Sequence, residues 1–325
     1  TGGLGYIGSH VVTSLKNNGY IPVIIDNLSN SYLSTLKRLE DLIESKILFF
    51  NLDIRQTKKI SQILEDYNIS NIIHLAASKS LEESFKLSVQ YYDNNVNGLI
   101  SILKCLDINK KYNFVFSSSA CVYGDDNLSP IIEDGYIDSD NPYGISKILC
   151  EKILNNLKDY NLSTAILRYF NPAGAHESGA IGQNEKSIYP NLLNVIDDVA
   201  FRKKEFVPVF GNDYKTKDGT CIRDYFHVMD LADAHVSSLK KLINDKKNFI
   251  INLGSGNGYS ILELIETYSK VNNVTIPFHY TKRRTGDIPA IFSSIEKAKN
   301  LIQWQSHYNL EDICRTSFNW KKRFY

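Results

Sequence analysis

The sequence predicts an α/β protein, a doubly wound parallel sheet wrapped by helices and followed by a smaller mixed C-terminal portion. Two observations carry the prediction. The chain opens with a glycine loop, Thr1-Gly2-Gly3-Leu4-Gly5-Tyr6-Ile7-Gly8, that runs directly into the helical pattern Ile7, Val11, Val12, Leu15. Apolar strand-like runs then alternate with amphipathic stretches, at 20–25, 47–51, 71–75, 114–118 and 164–169. Such alternation is the pattern of a parallel sheet with helices on its faces.

Each element has its own justification. In the opening loop, glycines let the backbone approach a pyrophosphate, and the helix that follows offers it unpaired N–H groups. Residues 20–25 read as a buried strand ending in Asp26, 18 residues beyond Gly8. A carboxylate there binds a ribose diol and repels a 2′-phosphate, so loop, strand and acidic terminus in this order predict a Rossmann-type unit that binds NAD rather than NADP. The first strand of this unit is expected before the glycine loop. Because the chain begins at Thr1, inside the motif, a few N-terminal residues are expected to be lacking, and their strand would be the central one of the sheet. After about residue 170 the pattern loosens and Pro, Gly and Asn become frequent, as in Asn171-Pro172-Ala173-Gly174. The expected division is therefore an NAD-binding domain, 1–170, and a substrate-binding domain, 171–325. A strand and helix from roughly 224 to 242, within the segment 224–252, are expected to return to the first domain.

Composition narrows the partners. With 325 residues, 43% hydrophobic content and a net charge of +1, the chain can bury a large core and carries no bulk field for nucleic acid or an anionic membrane. No apolar run approaches the ~20 residues of a membrane span. A small molecule is the expected partner. Five scattered cysteines form no C-x-x-C pair, which argues against a disulfide framework or a zinc site and suits a reducing cytoplasm. Asn27-Leu28-Ser29 matches the glycosylation pattern, but a glycan there would block the adenosine site.

The candidate chemistry centres on Tyr143 and Lys147 in Asn141-Pro142-Tyr143-Gly144-Ile145-Ser146-Lys147. A spacing of four puts both on one face of a helix, with Pro142 in its first turn. Free tyrosine titrates near pH ~10, so a tyrosine base at neutral pH needs a depression of roughly 3 units, which an adjacent ammonium and a cationic cofactor are expected to supply. The alternative is a chance Tyr-x-x-x-Lys on a solvated helix. Ser117-Ser118-Ser119 follows the strand at 113–116, so these hydroxyls should emerge at its carboxyl end, where ligands of open α/β sheets bind. Ser119 is placed to hold a substrate oxygen or relay its proton; the alternative is a serine-rich turn. His74 reads as a packed strand histidine. The glycines at 254–258 read as a strand-to-helix turn before a capping box made by Ser260 and Glu263.

With glycine loop, Asp26, Ser119, Tyr143 and Lys147 assembled, the chain resembles the extended short-chain dehydrogenase/reductase superfamily and, within it, the UDP-glucose 4-epimerases. The resemblance runs nearly end to end, through Asp53-Ile54-Arg55, Tyr91-Tyr92-Asp93-Asn94-Asn95, Arg168-Tyr169-Phe170-Asn171-Pro172 and Arg223-Asp224-Tyr225-Phe226-His227. Phe210-Gly211-Asn212-Asp213-Tyr214 and Asp218-Gly219-Thr220 point most narrowly to the epimerases. The resemblance implies NAD-dependent isomerisation of a UDP-sugar at C4 through a 4-keto intermediate, with Ser119, Tyr143 and Lys147 catalytic. It places Gly2, Gly5, Tyr6 and Ile7 at the pyrophosphate, Asp26, Asn27, Asn30 and Ser31 around the adenosine ribose, and Asp53 and Ile54 at the adenine. Leu75, Ala76, Lys79, Asn94, Lys147 and Phe170 would surround the nicotinamide half. Asn171, Asn191, Leu192, Phe210, Arg223, Tyr225, Arg284 and Asp287 would hold the uridine diphosphate. It also implies a homodimer packed through helices near Asn94 and Tyr143.

Guanidinium forks suit pyrophosphate oxygens, although without the resemblance Arg223 with Asp224, or Arg284 with Asp287, reads as an ion pair. A related 4,6-dehydratase would need an acid pair after the strand serine, and Ser119-Ala120-Cys121 offers none. Two departures from the relatives stand out. Cys121 is expected to make the site sensitive to thiol reagents. Ile291 occupies the position that gates room for a 2-acetamido group, and its intermediate size leaves acceptance of N-acetylated sugars undecided.

Overall fold

A computed structural model of the chain describes every residue except 158, 159, 185, 187–189, 285 and 325. Strands β1 (Val23–Asp26) and β2 (Leu48–Asn51) pair in parallel, Val23 opposite Leu48 through Asp26 opposite Asn51. β3 (Asn71–His74), β4 (Tyr112–Ser119) and β5 (Leu162–Tyr169) follow, each preceded by helices that carry the chain back. The next four strands, β6 (Asn171–Ala173), β7 (Val207–Phe210), β8 (Ile222–Arg223) and β9 (Tyr225–His227), are short. β10 (Phe249–Leu253) then joins β5 and completes a parallel sheet in the order β10-β5-β4-β3.

Side chains alternate across a strand, and here both faces are buried. Phe114, Phe116 and Ile166 point to a core with Ile60, Ile102, Cys150 and Leu154. Val115, Ala165 and Leu167 point the other way, to Leu231, Ala234, Leu239 and Ile251. The first core is roofed by the helices Thr57–Asp66, Gly98–Leu103 and Pro142–Asn156, the second by Val228–Asp245 and Glu296–Ile302. Helix Tyr6–Asn17 packs along Val228–Asp245. Thr1 and Gly2 connect the two parallel sheets. Gly2 N–H donates to the Ile25 carbonyl at 2.8 Å, and Leu75 N–H donates to the Thr1 carbonyl at 3.2 Å.

One detail of the returning segment differs from expectation. The helix near 224–242 does return to the first sheet, but the strand that joins it lies after the helix, not before. Tyr225–His227 pairs instead with Asn171–Ala173. A parallel neighbour for β5 requires a crossover, and the helix Val228–Asp245 supplies it only for the run that follows.

The remaining strands, β11 (Tyr259–Ser260), β12 (Phe278–Thr281) and β13 (Ala290–Ile291), form two small sheets, mixed β11-β8-β13 and parallel β12-β7. Their core is Ile196, Val207, Leu264, Tyr268 and Ile313, closed by the helices Leu192–Ala200, Ile261–Asn272 and Leu310–Phe324. Ser260 and Glu263 form the expected capping box at the start of one of these helices.

Candidate active site

The parallel strands end together, and the candidate residues follow their carboxyl ends. Asp26 closes β1, Leu75 and Ala76 follow β3, Ser119 closes β4, and Phe170 and Asn171 follow β5. That rim is where an open α/β sheet binds ligands.

The glycine loop is held tightly. Gly2 has φ +70°, and a Cβ there would lie 2.8 Å from the Ala76 nitrogen, while one on Gly8 would lie 2.1 Å from the Gly2 carbonyl oxygen. Gly5 caps the helix Tyr6–Asn17 without a side chain, so the N–H groups of its first turn face an anion unobstructed. The Tyr6 hydroxyl donates to the Gly174 carbonyl at 2.7 Å, tying the loop to the segment after β6. Asp26 is buried and accepts hydrogen bonds from Leu4 N–H (3.0 Å), Leu28 N–H (2.9 Å) and Ser31 Oγ (2.9 Å). Two carboxylate oxygens offer about four acceptor positions, so one is left for a ribose hydroxyl. Farther out, Asn27 Nδ2 donates to Asp53 at 3.2 Å, and Arg55 grips the same carboxylate with Nε and Nη2. These bonds bring Asp53 down to about 2. Ile54 is buried against Gly98, and the Asn30 side chain accepts from Lys186 N–H at 3.1 Å. The residues present fit a dinucleotide with a free ribose 2′-hydroxyl.

Lys79 lies in the loop after β3, and Asn94 Nδ2 donates to Asn95 Oδ1 at 3.0 Å. Asn94 sits in a π-helical turn, Asp93–Asn97, a local widening often found at functional sites. Its neighbour Asn95 was not singled out by the sequence. Asn95 Nδ2 donates to the Ser78 carbonyl and to Ser146 Oγ, both at 2.9 Å, and Oδ1 accepts from Ser78 N–H at 2.8 Å. It thereby pins the loop after β3 to the helix that carries Tyr143 and Lys147.

That helix, Pro142–Asn156, begins with Asn141 accepting from Gly144 N–H at 2.7 Å and with Pro142 in the first turn. Lys147 is buried, and its Nζ donates to the Ser117 carbonyl at 2.7 Å, 5.0 Å from the Phe116 ring and 5.8 Å from the Tyr143 ring. Ser119 lies near enough to the Tyr143 phenol to favour its ionised form, and its Oγ accepts from Cys121 N–H at 3.2 Å. Serine, tyrosine and lysine are thus in one cluster at the end of β4.

The depression of the phenol is expected from the ammonium and a cationic cofactor together, and the ammonium by itself does not bring it about. Burial pushes Tyr143 above its ordinary value, the Cys121 thiol adds to the rise, and the nearby Ser119 hydroxyl opposes it. Burial likewise lowers Lys147 to about 8, against the raising influence of Cys150, Glu151 and Cys121. The ammonium spends a donor on a backbone carbonyl and is itself costly to keep charged. The protein's own groups therefore leave the phenol protonated, and a further positive charge beside it is required to make it a base.

On the opposite wall, Arg223 Nη2 pairs with Asp287 at 3.1 Å, and Nη1 donates to the carbonyls of Ile222 and Ile288, both at 2.9 Å. The alternative pairing with Asp224 is not the one formed. Asp224 is buried and accepts from the backbone and hydroxyls of Ser255 and Ser293. Arg284 is exposed and stacks 3.8 Å over the Phe210 ring. An open cleft of about 750 Å³ is lined by Phe210, Arg284, Pro190, Val195, Lys203 and Lys204. Ile291 lies opposite Arg223 in the β13·β8 ladder and packs against the cluster of Tyr123 and Phe170. Asn171 is opposite Tyr225 in β6·β9. Asn191 precedes the helix Leu192–Ala200 with no side-chain cap, and Leu192 turns into the C-terminal core rather than the cleft.

The other candidates are structural. His74 is buried between Phe114 and Phe116, with Nδ1 2.9 Å from Thr1 Oγ1. Among the described residues, no three His, Cys, Asp or Glu side chains converge as metal ligands. Cys121 is half-buried and its thiol is pushed up by burial, which lowers the reactivity expected of it.

Residues 1–317 match the family described as GDP-mannose 4,6 dehydratase. UDP-glucose 4-epimerase of Dictyostelium discoideum is 43% identical, with 99% of this chain and 94% of the relative aligned. The Bacillus subtilis enzyme of the same name is 41% identical over 99% and 95%. A solved UDP-glucose-4-epimerase from Stenotrophomonas maltophila, with bound NAD and formylated UDP-arabinopyranose, superposes with a TM-score of 0.97 at 38% identity, covering 99% of this chain and 97% of that one. Full-length identity at this level, on a shared fold and with serine, tyrosine and lysine gathered at one strand end, makes the chain a member of the UDP-glucose 4-epimerase family.

Proposed function

We propose that the protein is an NAD-dependent isomerase that interconverts UDP-glucose and UDP-galactose, a step of galactose metabolism. The observation that carries the reading is the cluster of Ser119, Tyr143 and Lys147 beside the glycine loop, in a chain of this family. Tyr143 takes the proton of the sugar 4-hydroxyl, directly or through Ser119. The loop and Asp26 would hold NAD, which would supply a hydride acceptor for C4 and a positive charge beside the phenol. Lys147 would hold the nicotinamide ribose and add its own charge. Arg223, already oriented by Asp287, and Arg284 anchor the diphosphate. The 4-keto sugar, fixed only at its diphosphate, would turn within the site and present its other face, and Tyr143 would give the proton back.

The division of labour follows the chain: residues 1–170 with part of 224–252 carry NAD, and 171–325 hold the UDP-sugar. A homodimer is supported by the exposed apolar side chains Phe85, Leu87 and Val89 beside Leu149 on the catalytic helix. A cytoplasmic location is supported by five free cysteines, four of them buried. Among the described residues no helix is long and apolar enough to cross a membrane. The test is conversion of UDP-galactose to UDP-glucose by the NAD-loaded protein. Product formation without NADH in bulk solution is the expected result; NADH released together with an oxidised sugar nucleotide in place of the epimer would make it a dehydrogenase instead.

A further inference from the structure

Directly behind the catalytic groups lies a second layer of charge. Glu151 follows Lys147 by one helical turn and Tyr143 by two, so the three side chains share a face of Pro142–Asn156. Its carboxylate accepts a two-pronged bond from Arg168, Nε to Oε1 at 2.9 Å and Nη2 to Oε2 at 2.6 Å, and both residues are 4% exposed. Ser118 Oγ donates to the same carboxylate. Ser118 and Arg168 are partners in the β4·β5 ladder, where they continue the buried row of Phe114, Phe116 and Ile166. Arg168 Nη1 donates to the Tyr123 hydroxyl (3.1 Å) and the Glu133 carbonyl (2.8 Å), and Tyr123 donates to Asn252 on β10 at 2.6 Å. Packing alone does not call for this arrangement, since well-packed apolar residues often replace a buried ion pair without loss of stability.

We propose, resting on the epimerase reading above, that Glu151 and Arg168 are positioning residues for the reaction. Their pair clamps the strand end bearing Ser117 and Ser119 to the helix bearing Tyr143 and Lys147, and sets the electrostatic balance under both catalytic groups. The fork of Arg168 occupies both oxygens of Glu151, so the carboxylate does not draw Lys147 into a direct pair. Lys147 Nζ is left on the Ser117 carbonyl at 2.7 Å, pointed toward the site. At one turn's distance Glu151 still opposes the loss of the Lys147 proton. The other titratable and charged groups facing Tyr143 and Lys147 are Cys150 on the same helix, Cys121 after β4, His74 on β3, Tyr91 on the helix Ser88–Tyr92 and Tyr169 on β5; Arg223 faces Cys121. Of these, Cys150 is also held up by Glu151, while none of the others has a side-chain bond to the pair.

The test is the pH dependence of turnover in the NAD-loaded full chain. Glu151→Gln leaves the Arg168 cation uncompensated, which favours phenolate at Tyr143 and neutral amine at Lys147, so the optimum moves to lower pH by roughly 0.5–1 unit. Arg168→Gln leaves the carboxylate uncompensated and moves the optimum to higher pH by a similar amount. Opposite displacements support the proposal. Displacements of one sign, or none, overturn it, because lost packing lowers turnover without separating the two profiles. The same displacements are read without turnover from the tyrosinate absorbance that Tyr143→Phe removes, so a wild-type chain that fails to epimerise sinks the function and leaves this inference still decidable. Should single variants fail to fold, the double variant Glu151→Gln, Arg168→Gln decides: an unmoved profile with kcat down about tenfold supports the clamp, and wild-type kcat overturns it. Ser118→Ala, which removes a hydrogen bond but no charge, is expected to lower kcat and leave KM and the profile in place; an unchanged kcat overturns the clamp.

Discussion

The two walls of the site are built to different standards. The wall proposed for proton transfer stands on β3, β4 and β5, strands covered on both faces, and its Ser119 and Lys147 are buried. The wall proposed for the nucleotide sugar stands on strands of two to four residues, with Asn171, Asn191 and Arg284 exposed. Rigid elements position reacting groups precisely enough for chemistry, while short and less buried ones open at lower cost. An epimerase needs both, because the proton must move at fixed geometry while the ketone has to turn over. The anchoring of Arg223 by Asp287, in an otherwise open wall, marks where that wall must not give.

The most severe way to break the first wall is Tyr143→Phe. Turnover should fall by at least about a hundredfold while NAD stays bound, since a proton carrier is lost but few cofactor contacts are. Near-normal turnover would remove Tyr143 from the mechanism. Asp26→Ala should weaken NAD by about tenfold or more and relax discrimination against NADP, because the buried acceptor that also repels a 2′-phosphate is gone. An unchanged preference, measured by equilibrium binding of both dinucleotides, would reduce Asp26 to a strand terminus.

The second wall should respond differently. Arg223→Met is expected to raise KM for the UDP-sugar about tenfold with a smaller change in kcat, and Arg284→Met, at an exposed stacked position, to do so less. A loss confined to kcat would place Arg223 with the chemistry instead. Ile291→Tyr should suppress any epimerisation of UDP-N-acetylglucosamine by a few-fold more than that of UDP-glucose, because added bulk excludes the acetamido arm first. Equal effects on both substrates would refute a gating role.

A gentler probe is pH. The Lys147 ammonium, lowered to about 8 by burial, loses its proton as pH rises through that value. Activity that depends on the charged form is therefore full below it and declines above it. In Lys147→Arg, whose charge persists to far higher pH, the alkaline decline should disappear even where overall turnover is poor. An alkaline limb that survives that substitution would belong to another group. Iodoacetamide should modify Cys121 slowly at neutral pH, given its raised thiol, and rapid inactivation protected by substrate would contradict the burial seen here.

The features legible in the chain are those whose meaning is local. A glycine loop leading into a helix, a carboxylate at the end of an apolar run, and Tyr143 four residues before Lys147 are defined by spacing along a strand or helix, and spacing survives folding. The alternating apolar runs likewise determine a parallel sheet, because each needs cover on both faces. Other features depend on partners remote in sequence. Glu151 meets Arg168 across 17 residues, Arg223 meets Asp287 across 64, and Tyr6 reaches Gly174 across 168. A charged residue between Cys150 and Leu154 on the buried stripe was the available signal for Glu151, but its partner was not readable from the stripe. The direction of the Tyr143 shift was equally out of reach. Sequence alone places an ammonium one turn from the phenol, and only the packed structure shows that burial outweighs it, because the cost of a buried charge is set by everything around it and not by its nearest neighbour in the chain.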